Sequence, residues 1–426
     1  MWASKVARGL SRRVSRARSS GLGASSAMPV ATHVLVRSMS TALSTSSLGR
    51  DSEAIERFAN TVDLLSYYAS KKEMGPSQMD GIGMVTILKQ LASVGKGSDV
   101  TAMLADGRFH SLLSDLTGKL EDLEARYVVT AASSVAAFRT TTQELTEFTS
   151  ALAEVVQRRP NAFTPNALSS LTLAFAARRF EDEELVYFVT QECKKVVSEA
   201  KCFDLILLLD GLNRWGVFDR EIVDMSVERL CDQLDRFTSR DVTHLLGVMG
   251  QMALARGFLI RSVAKMMFEN LHQFTPRQLC SSLYALVRLR FTTKDQVLQV
   301  FRVLEPEASI IPMASVSELI FVSASHGITP TDNKFVKHLC DRFVGMNKNR
   351  AEGDDPKVSK KGDKGIESRP LNSLIDVAWA FCVFKDRPHD LKNITERIFS
   401  LPVPRSRLML AKMFEVFGSL KLKNNV

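Results

Sequence analysis

The feature that most constrains this chain is a helix start that returns at a fixed interval. Phe274-Thr275-Pro276 stands 37 residues after Phe237-Thr238, which stands 74 residues, two such steps, after Phe163-Thr164-Pro165. A threonine hydroxyl accepts from the free amides of a helix N-terminus, and proline suits the first helical position because no backbone donor is needed there. Gln278 lies where a capping box places its reciprocal acceptor. Leu279, Leu283 and Leu286 follow at i, i+4 and i+7, one face of a helix. Arg288 and Arg290 bring positive charge to the end where the macrodipole is negative. Thr293 and Gln296 predict a second capped helix, with Val297, Val300, Phe301 and Leu304 as its apolar face.

Steps of 37 keep apolar residues in register. Leu168, Leu205, Val242, Leu279 and Val316 form one column, and Phe180, Val217, Leu254, Phe291 and Ile328 another. Thr172, Leu209, Leu246, Leu283 and Ile320 make a third, and Cys193, Leu230, Met267 and Leu304 align in the second helix. At 45% apolar content a five-position column arises by chance roughly 2% of the time, so about one among 37 columns is accidental. Several columns at helical spacing, in phase with the Phe-Thr start, exceed that. The predicted fold is all-α, an α-solenoid of tandem helical hairpins with a repeat of about 37 residues.

The first 50 residues read differently. They hold Lys5, Arg8, Arg12, Arg13, Arg16, Arg18, Arg37 and Arg50, abundant serine and no acid before Asp51. Trp2, Val6 and Leu10 recur every four residues among the cations, as in a basic amphipathic helix. This predicts a mitochondrial presequence and leader, with Arg37-Ser38-Met39-Ser40 resembling a matrix-processing site and the matrix as destination. The competing reading is a basic arm that stays attached and touches nucleic acid or membrane. The leader carries eight of the charges behind the net +9, so the body is close to neutral. The body's overall charge therefore makes no case for nucleic acid, and any such surface must come from local clustering.

Residues 51–125 carry helical patterns without the clean register and are expected to be a degenerate N-terminal cap. Gly95-Lys96-Gly97-Ser98 lacks the spacing of a phosphate loop and reads as a turn between helices. The array is clearest over 126–346. Residues 347–369, rich in Lys, Asp and Glu with hardly any large apolar side chain, are expected to be a disordered charged insertion of about 21 extra residues. The pattern resumes at Leu374, Val377, Ala378, Trp379 and Phe381, so that 370–426 form a last repeat and a capping helix over Leu408 to Leu420. No apolar run approaches the roughly 18 to 20 residues of a membrane span; Leu205 to Leu209 stops at Asp210.

No catalytic constellation is legible. Cys193, Cys202, Cys231, Cys280, Cys340 and Cys382 form no Cys-x-x-Cys pair, so no zinc site is expected, and Cys193 shares a column with leucine and methionine as a core residue. His338 and Cys340 stand two apart, a spacing that points them to different helix faces. No nucleophile elbow, zinc-protease helix or kinase signature occurs. The expectation is a protein without enzymatic activity, metal or cofactor.

What remains is a binding surface. The turns between helices carry Arg178-Arg179-Phe180, Arg214-Trp215-Gly216, Arg256-Gly257-Phe258, Arg288-Leu289-Arg290 and His326-Gly327-Ile328. Glycine permits a left-handed cap and basic side chains suit a helix C-terminus, which accounts for them structurally. The functional reading is a row of cations that a phosphate backbone could track. A second set lies on the first helix of each hairpin: Asn166 and Ser169, Arg240 and His244, Arg277 and Ser281, Ser315 and Glu318, either a solvated face or a base-reading one. Candidate RNA-binding residues are Arg178, Arg179, Arg214, Arg240, His244, Arg277, Arg288 and Arg290.

The 37-residue hairpin, the Phe-Thr-Pro start and the block Trp379-Ala380-Phe381 resemble the mitochondrial helical-repeat proteins of protists. These include heptatricopeptide-type repeats and the arrays beside RAP domains in relatives of FAST kinases. The resemblance spans most of 126–420. It implies organellar RNA binding: RNA processing or stability, or membership of a mitochondrial ribosome or other ribonucleoprotein. No RAP-like domain is legible after the repeats, so nuclease-like activity is not carried over, and no functional residue transfers. The alternative is a protein-only scaffold or accessory subunit of a mitochondrial complex.

Overall fold

The computed structural model describes residues 55–75, 79–95, 98–138, 140, 142–254, 256–345, 371–385 and 388–400. The leader, the charged insertion and the closing helix expected over Leu408 to Leu420 lie outside the described residues. Among the described residues there is no strand, and the chain divides into two compact units between Phe237 and Thr238.

The first unit contains α1 (Thr61–Glu73), α2 (Gly81–Val94), α3 (Ser98–Leu104), α4 (Gly107–Thr117), α5 (Ala125–Ala137), α6 (Gln143–Gln157), α7 (Pro165–Arg178), α8 (Glu183–Val196), α9 (Cys202–Trp215) and α10 (Arg220–Cys231). Helices α2, α5, α7 and α9 pack side by side in one layer, and α4, α6, α8 and α10 in a second. The tightest approach is α7 on α9, where Gly211 leaves no room for a side chain. A Cβ there would stand 2.8 Å from Thr172 Cγ2 and 2.9 Å from the Leu173 amide nitrogen. Leu168, Leu171, Leu205 and Leu208 are buried in the same pair, each contributing about 1.5–3 kcal/mol.

The second unit contains α11 (Ser239–Met252), α12 (Gly257–Glu269), α13 (Pro276–Arg288), α14 (Lys294–Leu304), α15 (Met313–Ser325), α16 (Lys334–Val344), α17 (Leu371–Phe384) and α18 (Pro388–Ser400). Helices α11, α13, α15 and α17 pack in sequence, and each is backed by the helix that follows it.

The predicted starts are present in detail. Thr164, Thr238 and Thr275 cap α7, α11 and α13, and Pro165 and Pro276 open their helices. Thr275 with Gln278 and Thr293 with Gln296 form full capping boxes, as do Thr238 and Asp241. Asp182 and Asp219 cap α8 and α10. The cap positions 164, 201, 238, 275 and 312, and again 182, 219, 256 and 293, fall 37 residues apart. Short 3-10 turns follow α8, α10 and α12 at Val197–Glu199, Leu234–Arg236 and Leu271–Gln273, on the same interval.

The turns depart from expectation at two places. Gly216 and Gly327 take the left-handed conformation, at φ 77° and 62°. In the turn expected around Gly257, however, the left-handed residue is Ala253, and Gly257 is already the first residue of α12. Arg179 and Arg290 occupy this region without glycine, at φ 52° and 63°. Their carbonyl-side hydrogen bonds explain it: Phe180 N donates to Phe175 O and Phe291 N to Leu286 O, closing the helix end as a glycine cap would.

Candidate functional site

Each sequence-selected cation has a definite place. Arg178 is half-buried, and its Nη1 donates to Phe138 O at 2.8 Å and Thr140 O at 3.1 Å, carbonyls at the end of α5 and just beyond it. Burial lowers its guanidinium below the usual value. Trp215, 37 residues later, donates Nε1 to Phe180 O at 2.7 Å, and its ring stacks on Phe175 at 6.0 Å. His326, three further steps of 37 along, meets Thr292 Oγ1 at 3.1 Å. These side chains tie one turn to the next. Arg214 Nε is held at 2.7 Å by Asp210, a carboxylate only 2% exposed. Arg178 and Arg214 thus make contacts within the fold, while Arg179 and Arg290 are exposed at their turns.

Part of the helix-face set lies on the first helices of the second unit's hairpins. Arg240 and Arg277 are exposed near the starts of α11 and α13, and His244 and Ser281 lie four residues further along each helix, partly buried. At the other end of α13 the Arg288 guanidinium stands over the Tyr284 ring, 5.8 Å from its centroid. Tyr284 meets Phe321 of α15 edge-on at 5.5 Å, and Phe321 meets Trp379 of α17 at 5.0 Å. All three rings are partly exposed, so α13, α15 and α17 share a run of aromatic surface with the Arg288 guanidinium over its first ring.

Two carboxyl groups lie within this face. Glu318 of α15 is 7% exposed and Asp376 of α17 is 8% exposed. Tyr284 Oη donates to Asp376 Oδ2 at 2.9 Å, so a side chain of α13 reaches past α15 to α17. Burial first, and Asp376 second, hold the Tyr284 phenol well above its usual range. Glu318 Oε2 is buried without a hydrogen-bond partner. Burial and the nearby Asp376 push the Glu318 carboxyl up to about 8, against the pull of Arg277. The sequence placed Ser315 and Glu318 on a polar face; both are buried. Cys280 lies next to them, and burial raises its thiol, which leaves it unreactive at neutral pH.

Sequence reasoning missed the aromatic run and the acid pair. The signal was available: Tyr284 and Phe321 stand 37 residues apart, and Trp379 follows after a further 37 plus the 21 assigned to the insertion. Glu318 and Asp376 are separated by that same interval.

Among the described residues, no group of three or more His, Cys, Asp or Glu is placed to hold a metal ion. No described helix is long and apolar enough to cross a membrane. No protein-family profile matches this chain, and no curated protein sequence matches it.

Proposed function

We propose that this chain is a non-catalytic mitochondrial α-solenoid, built from hairpins on a step of about 37 residues, that binds single-stranded RNA through the α11–α13–α15–α17 face. The helix caps and 3-10 turns that recur at 37 residues support the repeat. The observation that carries the binding reading is the run of partly exposed rings Tyr284, Phe321 and Trp379, with Arg288 over the first of them and Arg240 and Arg277 exposed near the starts of α11 and α13. Rings offer a stacking surface to any unpaired base, and guanidinium groups neutralise phosphates. The acidic Glu318 does not spoil the charge balance, because burial keeps it largely protonated at pH 7. The acid-free, Arg-rich leader supports delivery to the mitochondrial matrix.

A protein-only scaffold is the second reading. Tyr187, Phe218 and Phe258 are 68%, 62% and 65% exposed, and exposed apolar rings suit a protein partner. Ultraviolet crosslinking of the tagged protein in intact mitochondria, followed by sequencing of bound RNA, separates the two. Discrete sites on a few transcripts or on ribosomal RNA are expected. Crosslinks no higher than background, with the protein held in an RNase-resistant assembly, would replace RNA binding with scaffolding.

A further inference from the structure

The helices that back the two units pack differently. In the first unit α6, α8 and α10 lie against one another. In the second, α12 and α14 approach less closely, and a groove of about 430 Å³ opens between them. It is lined by Arg261, Lys265, Phe268 and Glu269 of α12 and by Phe291, just ahead of α14. Arg261, Lys265 and Phe268 continue a stripe that begins at Phe258, at i, i+3, i+7 and i+10 on one helix face. Phe258 is 65% exposed, and both cations are exposed. Glu269 holds Lys265 only loosely, at 3.7 Å with both side chains mostly in water. The groove thus joins two half-buried rings to an excess of positive charge.

A stripe of opposite sign lies in the first unit. Glu181, Glu183 and Glu184 are exposed at the start of α8, around the capping Asp182. Tyr187 follows one turn later, at i+4 from Glu183 and i+3 from Glu184, and is 68% exposed. One exposed cation, Arg179, precedes them, so acid is in excess.

We infer that the groove receives α8 of a second copy of this chain, with Tyr187 entering between Phe268 and Phe291 while Glu183 and Glu184 meet Arg261 and Lys265. The groove falls within the roughly 300–1,000 Å³ of sites that take up small molecules, so a phenol ring has room. Burial of that ring supplies most of the affinity, since ion pairs at an exposed rim are weak. The charges choose the partner and its orientation. Because α8 and the groove are different surfaces, the contact is heterologous, and every copy offers one of each. Association therefore continues with concentration unless the copies close into a ring. The inference stands apart from the RNA-binding reading, which concerns α11, α13, α15 and α17.

The test is sedimentation velocity of the RNA-free full chain through the micromolar range, beside Tyr187→Ala, Arg261→Glu/Lys265→Glu and an equimolar mixture of these two variants. All the substituted side chains are exposed, and thermal unfolding checks that each fold is intact. The wild type is expected to self-associate, less so as salt rises. Each variant alone is expected to associate at least about tenfold more weakly. The mixture unites an unaltered α8, from the charge-reversed chain, with an unaltered groove, from the Tyr187→Ala chain. It is expected to form pairs and nothing larger. A wild type that stays monomeric, variants that associate as the wild type does, or a mixture no more associated than its parts would each overturn the inference. Cations and rings also suit RNA, so binding of a labelled single-stranded RNA is measured with the charge-reversed variant and is expected to match the wild type. Lost RNA affinity with self-association intact would assign the groove to RNA instead.

Discussion

The helix pair α7–α9 and the helix set α13–α15–α17 use the same sequence interval to opposite ends. Three steps of 37 before Tyr284 and Glu318 stand Leu173 and Leu207. These leucines are buried together, with Phe203 packed against them. Gly211 lets α9 press onto the backbone of α7 beside them. In the second unit the same positions hold a phenol, two further rings and two carboxyl groups, with the Arg288 guanidinium over the phenol's ring. Close packing by small and aliphatic residues makes a dry seam, which offers nothing to a polar ligand. Aromatic and ionisable residues at those positions cost stability in themselves, and their retention on one face points to use rather than architecture.

The comparison can be broken most directly at the seam. Gly211→Ala puts a Cβ within 3 Å of Thr172 and the Leu173 backbone, and is expected to destabilise the protein by about 1–3 kcal/mol. Gly247→Ala, in the interior of α11 with nothing near its would-be Cβ, is expected to stabilise it by about 0.5–1 kcal/mol. Denaturant titration of both variants checks the pair, and equal effects would remove the distinction between a close-packed seam and an open face.

Two polar links sharpen it further. Gln233 is buried, donates to Ala200 O and accepts from Cys202 N, both at 3.0 Å. Gln233→Ala is expected to cost about 1–3 kcal/mol, and RNA affinity should not change. Tyr284→Phe removes the donor to Asp376 and is expected to cost about 1–2 kcal/mol, with a change in RNA affinity as well. If Tyr284→Phe moved stability alone, the phenol would belong to the architecture, as Gln233 does.

The cations divide in the same way. Arg178→Met removes two hydrogen bonds to carbonyls and is expected to lower stability by about 1 kcal/mol without altering RNA affinity. Arg277→Ala, at an exposed site, is expected to leave stability within about 0.5 kcal/mol while reducing RNA affinity and the salt dependence by about one phosphate. Reversed outcomes would exchange the roles assigned to these two arginines.

Helix boundaries were legible because caps are local chemistry. Thr275, Pro276 and Gln278 lie within four residues and satisfy free amides without help from the rest of the chain. The core columns were legible for the same kind of reason, since Leu168, Leu205, Val242, Leu279 and Val316 are all buried. The site was only half legible. Arginine at a helix end reads the same whether it is bound to a carbonyl of the preceding turn, as Arg178 is, or exposed, as Arg290 is. Glu318 read as a surface acid because nothing in its neighbourhood along the chain announces burial; the residues that enclose it come from α13 and α17. The same holds for Gly257, where the left-handed exit moved to Ala253.

The central claim is that RNA binds where exposed arginines meet the aromatic run. Its most direct test is fluorescence anisotropy of a labelled single-stranded RNA with the full chain and with the Arg240→Ala/Arg277→Ala double variant, across a salt series at pH 7. Saturable binding is predicted for the wild type, with a slope against salt that is smaller by about two in the double variant and an affinity lower by about tenfold. Binding of equal strength and equal salt dependence in both proteins would contradict this placement, and absence of binding by the wild type at low salt would contradict RNA as the ligand.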